Sequence, residues 1–421
     1  MRVALVTREY PPETEWGGIG RFYTLFAAAL RDAGHEVEVF TQGIAADRME
    51  ECNGILVHRV VPRQWVIGRR AGGDLGGMGV RLIGVFALSL AAAMAGRVAL
   101  RHRLKPFDVV EGHEHLGINA FVNAYGKGRF TSVSRYHAAY HSLVHRGLVN
   151  WPASRLIHWL ERTSIQNADA RIASSGYIEE MTRRDFPGTP QCEAIIPLLS
   201  GCGDDAEQIP VSQREKLMIF AGRLVPGLKN PEIAAEVFAD LAEEFPDWRI
   251  EFAGSDIAAR DGGTAWEQCE RILARYPGRY RYHGPLDQDS LHALYRRARI
   301  ILIPSGFEAF GLVALEAMAA GTVPVVADAT ALPEVVGSGG VVFQNGCQDD
   351  LRKKLREIVQ DEPRQIALSN ASRTRAREDL SQDRLLADNI SVFQDLIQRN
   401  SGKRPSTKSF ASALFGSRSR R

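Results

Sequence analysis

Short runs of β-branched and aliphatic residues alternate with helical stretches along almost the whole chain, and the series restarts midway. That alternation is the pattern of βα units, whose strands line up in parallel sheets with helices packed on both faces. The spacing predicts strands over residues 2–7, 36–41, 55–60, 107–111, 130–134, 170–173 and 194–197, with a helix over 20–33 that Gly34 stops. A stretch rich in Gly, Asp, Pro and Ser over 200–212 reads as a linker. A second series follows, with strands over 217–221, 249–253, 279–283, 300–303 and 323–327 and helices over 230–245, 266–276, 290–298 and 311–320. After Asp349 the pattern is helical to about residue 399. With 421 residues the chain exceeds one ordinary core, so two domains are expected. They are predicted as 1–200 and 213–380, followed by a helix over 381–399 and a basic, disordered tail over 400–421.

Charge matters here mainly by where it sits. The net charge of +2 includes Lys403, Arg404, Lys408, Arg418, Arg420 and Arg421 in a tail with no acid. Without those six, 46 basic residues face 50 acidic ones, so the body carries about −4 and predicts no nucleic-acid partner. The tail has two readings: a solvated segment, or a tether to anionic membrane through its cations, with Phe410, Leu414 and Phe415 as apolar anchors. Five cysteines without CxxC spacing argue against a disulfide framework or zinc site and fit a reducing compartment. The start, MRVALVTREYPP, reads as a core strand rather than a signal peptide. The most apolar stretch, 82–96, is shorter than the roughly 20 residues a bilayer span needs. A buried helix or an interfacial one are its two readings.

Two doubly wound sheets put a ligand cleft where their carboxyl ends face each other, so the residues just after each strand carry the candidate chemistry. Gly17-Gly18-Ile19-Gly20 after the first strand is either a phosphate-approaching loop or a plain turn, and its spacing is not GxGxxG. Arg223 and Lys229 beyond the strand LMIFA suit a diphosphate or are two solvated surface cations. In the stretch from Ser305 to Met318 a helix opens near Gly311, and the N–H groups of Phe310, Gly311, Leu312 and Val313 would form an anion site. Glu308 and Glu316 would lie about 12 Å apart if both were helical. That exceeds the roughly 5–9.5 Å of a glycosidase pair, so two separate binding tasks fit better. Burying Glu316 among Leu, Ala and Met demands a partner, which a ribose diol supplies. His113 and His115 in EGHEH are open to acceptor-side binding, a structural role or metal ligation, although no further ligand set accompanies them.

FEAFGLVALEAM resembles the E-x7-E signature of the retaining family 4 glycosyltransferases of the GT-B fold. GGIGRF, DVVEGHEHLG, RYH, FAGRLVPGLKNP and AGTVPVVADATALPEVV follow the family order, so the resemblance spans about residues 1–395. It implies two Rossmann-like doubly wound parallel-sheet domains facing each other across a cleft, the first on the acceptor side and the second binding a nucleotide sugar. It further implies that Arg223 and Lys229 neutralise the donor diphosphate and that Glu316 holds the ribose. Glu308 would hold donor-sugar hydroxyls with the N–H groups of Phe310, Gly311 and Leu312. Gly18 would approach the β-phosphate, and His137 would stand beside the anomeric centre unless it is only a packed histidine. Retention by same-face attack, without a metal or other cofactor, is the implied chemistry. The expected partners are a nucleotide-sugar donor and a glycan, glycolipid or small acceptor in cell-surface glycoconjugate synthesis, in the cytoplasm or at the inner face of the membrane. A non-catalytic nucleotide-sugar-binding subunit and a nucleotide-sugar epimerase are the alternatives. Thr330-Ala331-Leu332-Pro333-Glu334 lacks the family's Gly-Gly pair and Asn230 stands where Gly is common, which bears on donor choice. Loops over 62–80 and 138–150, with Arg63, Trp65, Arg69, Arg70, His141 and His145, are the acceptor-side candidates.

Overall fold

Strand order, more than strand number, fixes where this molecule can bind anything. A computed structural model describes residues 1–14, 17–62, 81–147, 155–201, 209–256 and 263–401. Arg63, Trp65, Arg69, Arg70, Cys202, most of the expected linker and the tail with Phe410, Leu414 and Phe415 lie outside the described residues. The first series forms an eight-stranded sheet of order β3-β4-β2-β1-β5-β6-β7-β8. Its strands are β1 Arg2–Val6, β2 Glu36–Gln42, β3 Arg48–Cys52, β4 Ile55–Val60, β5 Val109–His113, β6 Thr131–Tyr136, β7 Ala170–Ala173 and β8 Ala194–Ile195. The second forms a six-stranded sheet of order β11-β10-β9-β12-β13-β14, all parallel. These are β9 Leu217–Ala221, β10 Arg249–Ala253, β11 Tyr280–Tyr282, β12 Ile300–Ile303, β13 Val323–Ala327 and β14 Val341–Phe343.

The apolar runs that predicted the strands are the buried centres of both sheets. β1, β5, β6 and β12 are buried along their whole length, as a sheet covered on both faces requires. Two strands escape the pattern. β3, RMEEC, is an edge strand antiparallel to β4, and its alternating half-exposed residues offer no apolar run to read. β14 is only three residues long. β5 and β6 each end two residues later than expected, which carries His113 onto a strand end.

The first helix, Gly18–Asp32, buries Phe22, Tyr23, Phe26 and Leu30 along one stripe. Each such side chain contributes about 1.5–3 kcal/mol by leaving water. The helix expected over 82–96 runs from Arg81 to Leu104, 24 residues, and is neither short nor wholly buried. Ala87, Leu90, Ala91, Met94 and Val98 face the core, while Leu100 and Leu104 are 52% and 70% exposed. By length and composition, its segment Ile83–Leu104 is sufficient to cross a membrane. The last helix, Gln382–Ser401, returns to the first sheet. Phe393 packs on Phe26 with ring centroids 6.2 Å apart, and Asn389 accepts a hydrogen bond from Arg135.

Candidate active site

In each sheet the strand order reverses at one place: between β1 and β5 in the first, and between β9 and β12 in the second. A crevice opens beyond the carboxyl ends at such a reversal. Four segments therefore border it: Arg8–Glu9, His113–His115, Gly222–Arg223 and 305–311. His113, His115, Arg223, Glu308, Phe310 and Gly311 fall on three of these, while Gly18, His137, Lys229, Leu312 and Glu316 lie on neighbouring turns and helices.

On the second sheet, Gly311 adopts φ +99°, and a Cβ there would lie 2.8 Å from Leu332 Cδ2, so glycine is required. The helix Leu312–Ala319 starts immediately after it. Among the described residues, the N–H groups of Phe310, Gly311, Leu312 and Val313 have no protein acceptor. They leave a cluster of oriented donors at a helix terminus. Glu308 lies in the loop before the helix, so the helical spacing of the two glutamates does not hold. Its N–H donates to Thr330 Oγ1 at 2.9 Å, and its carboxylate accepts from Ser305 Oγ at 3.1 Å and from Lys229 Nζ. Asn230, φ +55°, ties this corner down by donating to Pro304 O at 2.8 Å. Asparagine tolerates the left-handed conformation, so Asn does there what Gly would do. Arg223 is exposed and not paired with Lys229; its charge instead acts on Glu9 across the crevice.

Glu316 is 2% exposed. It pairs with Arg21 at 3.0 Å and accepts from Tyr295 Oη at 3.4 Å, and burial raises its pKa. Arg21 also donates to Gln288 Oε1. The partner demanded by a buried Glu316 is thus supplied from within the chain.

On the first sheet the glycine turn is organised by Glu9, whose Oε2 accepts from Gly20 N–H at 3.3 Å. A Cβ on Gly20 would sit 2.9 Å from Glu9 Cβ, and one on Gly18 would reach Leu312 Cδ1 at 3.9 Å. The turn therefore lies against the start of the second sheet's helix, bringing Gly18 and Leu312 together. Behind it His113 and His137 pack on Tyr23, and His115 packs on His113. His113 Nε2 accepts from Arg8 N–H at 3.2 Å, which fixes its tautomer, and His115 Nδ1 bonds Ala138 O at 3.0 Å. The His137 ring centroid stands 5.3 Å from Phe22, 5.9 Å from Tyr23 and 6.2 Å from His113. His137 Nε2 is buried and, among the described residues, has no protein partner. Burial pushes all three imidazoles down, His115 to about 4, so each is neutral near pH 7.

Further bonds join the two sides. Ser174 and Ser175 donate to Ala309 O, and the Glu334 carboxylate takes the N–H groups of Gly176 and Tyr177 at 2.8 Å. Arg21, Glu9 and Glu334 are contributors that sequence reasoning missed. Arg21 adjoins the glycine turn and Glu334 ends the departing TALPE stretch, so position alone hinted at both. His141 and His145 lie apart from the histidine cluster, lining a cavity of about 460 Å³ with Arg146, Arg184 and Asp185. Among the described residues no group of three or more His, Cys, Asp or Glu is arranged to hold a metal ion.

Residues 17–197 match the family model described as Glycosyl transferase 4-like domain, and residues 204–375 match Glycosyl transferases group 1. A D-inositol 3-phosphate glycosyltransferase of Corynebacterium aurimucosum is 25% identical over 406 residues, covering 90% of this chain and 92% of its own. A glycogen synthase of Mycobacterium tuberculosis is 27% identical over 393 residues, covering 90% and 91%. Among solved structures, sucrose-phosphate synthase from Thermosynechococcus elongatus superposes with a TM-score of 0.72 at 19% identity over 94% of this chain and 99% of that one. Anabaena HepE, solved in complex with UDP and glucose, gives 0.70 at 14% identity over 94% and 100%.

Proposed function

Because the chain belongs to the group 1 glycosyl transferases, has the GT-B arrangement of two parallel α/β sheets and takes its sugar from a nucleotide-sugar donor, we propose that it makes a glycosidic bond with retention at the anomeric carbon. The observation that carries this reading is the set of unpaired N–H groups from Phe310 to Val313, beside the Lys229–Glu308 pair and against the Gly18 turn. In the proposed complex the donor diphosphate takes those N–H groups, with Lys229 and Arg223 supplying cationic charge and Gly18 allowing close approach. Glu316 exchanges Arg21 for the ribose diol, and Glu308 holds hydroxyls of the donor sugar.

As the bond between the anomeric carbon and the diphosphate oxygen breaks, negative charge grows on the diphosphate, where preorganised donors stabilise it most. The acceptor oxygen bonds to the anomeric carbon from the same face, and its proton passes to the departing phosphate oxygen. Neutral His137 hydrogen-bonds a sugar hydroxyl through Nε2; being neutral, it is not the source of a proton. His113 and His115 back this wall on the acceptor side. The acceptor is a glycan, glycolipid or small hydroxyl compound of cell-surface glycoconjugate synthesis, and the enzyme works in the cytoplasm or at the inner membrane face through its tail. No feature of the site favours the binding subunit or the epimerase. Calorimetry against UDP, GDP, ADP and their sugar conjugates, followed by turnover with the donor that binds, tests the reading. Absence of both binding and turnover rejects it.

A further inference from the structure

Behind the histidines lie two fully buried carboxylates, Glu114 and Glu161, and among the described residues neither has a cationic partner. Glu161 reaches its place because its helix, Arg155–Asn167, presses against the turn His115–Gly117. Gly117 has φ +66°, and a Cβ on it would lie 2.4 Å from Leu160 Cβ and 2.7 Å from Glu161 N, so this approach needs glycine. From there Glu161 Oε1 accepts the N–H groups of Leu116 at 2.9 Å and Tyr140 at 2.6 Å, and Oε2 accepts that of His141 at 3.1 Å. Glu114 accepts the N–H of His137, at 2.9 and 3.1 Å to its two oxygens, and that of Ala138 at 2.7 Å. His115 Nδ1 closes the arrangement on Ala138 O.

The segment so gripped contains Ala138, whose φ is +111°. A residue with a Cβ keeps such a conformation only where its surroundings over-determine it. Burying two carboxylates without cations is costly, and neutral carbonyls would satisfy the same N–H groups at lower cost. The two carboxyl groups therefore do more than cap chain ends: between them they accept five backbone N–H groups, those of Leu116, His137, Ala138, Tyr140 and His141, and so stiffen one strained turn. That turn begins at His137, whose Nε2 has no protein partner among the described residues.

We infer that Glu161, acting with Glu114, is a positioning residue that locks the 137–141 turn and so aims the His137 imidazole. This rests on the reading of His137 as the group beside the donor sugar. Among the described residues the Glu161 carboxyl group hydrogen-bonds only backbone N–H groups.

The test uses Glu161→Gln in the full chain, which keeps the shape but turns the acceptor facing the His141 N–H into a donor. We expect kcat per folded molecule to fall about tenfold to a hundredfold, as a displaced catalytic group costs. The Kd of the free nucleotide, which carries no sugar for His137 to touch, stays within about twofold, because Glu316 and Lys229 belong to the other half. The His137 ring signal in NMR, assigned by its loss in His137→Gln, shifts as well. An unmoved signal with unchanged kcat overturns the inference, and so does parallel deterioration of kcat, KM and Kd. A shifted signal in a protein whose wild type transfers no sugar leaves the positioning role standing and removes the reading of function. If Glu161→Gln does not fold, the same measurements on Glu114→Gln, or on Glu161→Gln in an Ala138→Gly background that accepts positive φ, decide the matter.

Discussion

Arg21, on the first helix of one half, pairs at 3.0 Å with Glu316, buried in a helix of the other. The acid proposed to hold the ribose is therefore already satisfied by a cation from across the crevice, and nucleotide must replace one partner with another. Arg21→Ala removes the competitor. Nucleotide Kd, measured by calorimetry, should fall about threefold to tenfold, while stability drops by about 1–3 kcal/mol because buried Glu316 keeps Tyr295 but loses its cation. Weaker binding would mean that Arg21 holds the nucleotide rather than blocking it.

Lys229 pairs with Glu308, both being less than one-fifth exposed. Lys229→Ala should lower kcat/KM by about two to three orders of magnitude, the usual cost of one preorganised donor to developing charge. Ser305 still serves Glu308, but this largely buried carboxylate loses its cation, so stability read from the melting midpoint should fall by about 1–3 kcal/mol. Normal turnover would sink the diphosphate assignment.

Burial raises the carboxyl of Glu114 from 4.5 to about 7 and that of Glu161 from 4.5 to about 8. Each thus binds a proton more tightly in the folded chain than in the unfolded one. Their stabilising contribution is complete below pH 4.5 and is lost as pH rises through about 7 and then about 8. Denaturant titrations of wild type and Glu161→Gln should give a stability difference that shifts against the wild type between pH 5.5 and 8.5. A difference that stays flat would show that the N–H groups hold Glu161 ionised throughout.

Deleting residues 401–421 should abolish binding to anionic vesicles in a flotation assay, with no change in melting midpoint, if the tail is the tether. Retained binding would move the contact to the helix Arg81–Leu104, whose Leu100 and Leu104 are exposed.

The parallel architecture was legible because central strands are buried on both faces and must be written in aliphatic runs, as LMIFA and IILI are. β3 was not, since an edge strand with one wet face needs no such run. The Glu308–Glu316 stretch could be found because its glycine, helix start and acids are adjacent in sequence. The pairing of Arg21 with Glu316 and the grip of Glu161 on Tyr140 and Leu116 depend on tertiary contact between distant segments, which local pattern does not encode. The 81–104 helix runs past the apolar stretch 82–96 because its later arginines find partners: Arg97 pairs with half-exposed Asp47 and Arg101 with buried Glu38 of β2.

The return of the last helix has a consequence for how the protein is made. Arg135 and Phe26 belong to the half synthesised first, yet their partners Asn389 and Phe393 arrive much later, 254 residues after Arg135 in the case of Asn389. At ribosomal rates that interval is on the order of ten to fifty seconds. For that time the nascent first half carries an uncovered aromatic and an arginine lacking one of its acceptors. Its completion waits for the helix Gln382–Ser401, so a chain released before that helix differs from the finished one even in the part it has already built.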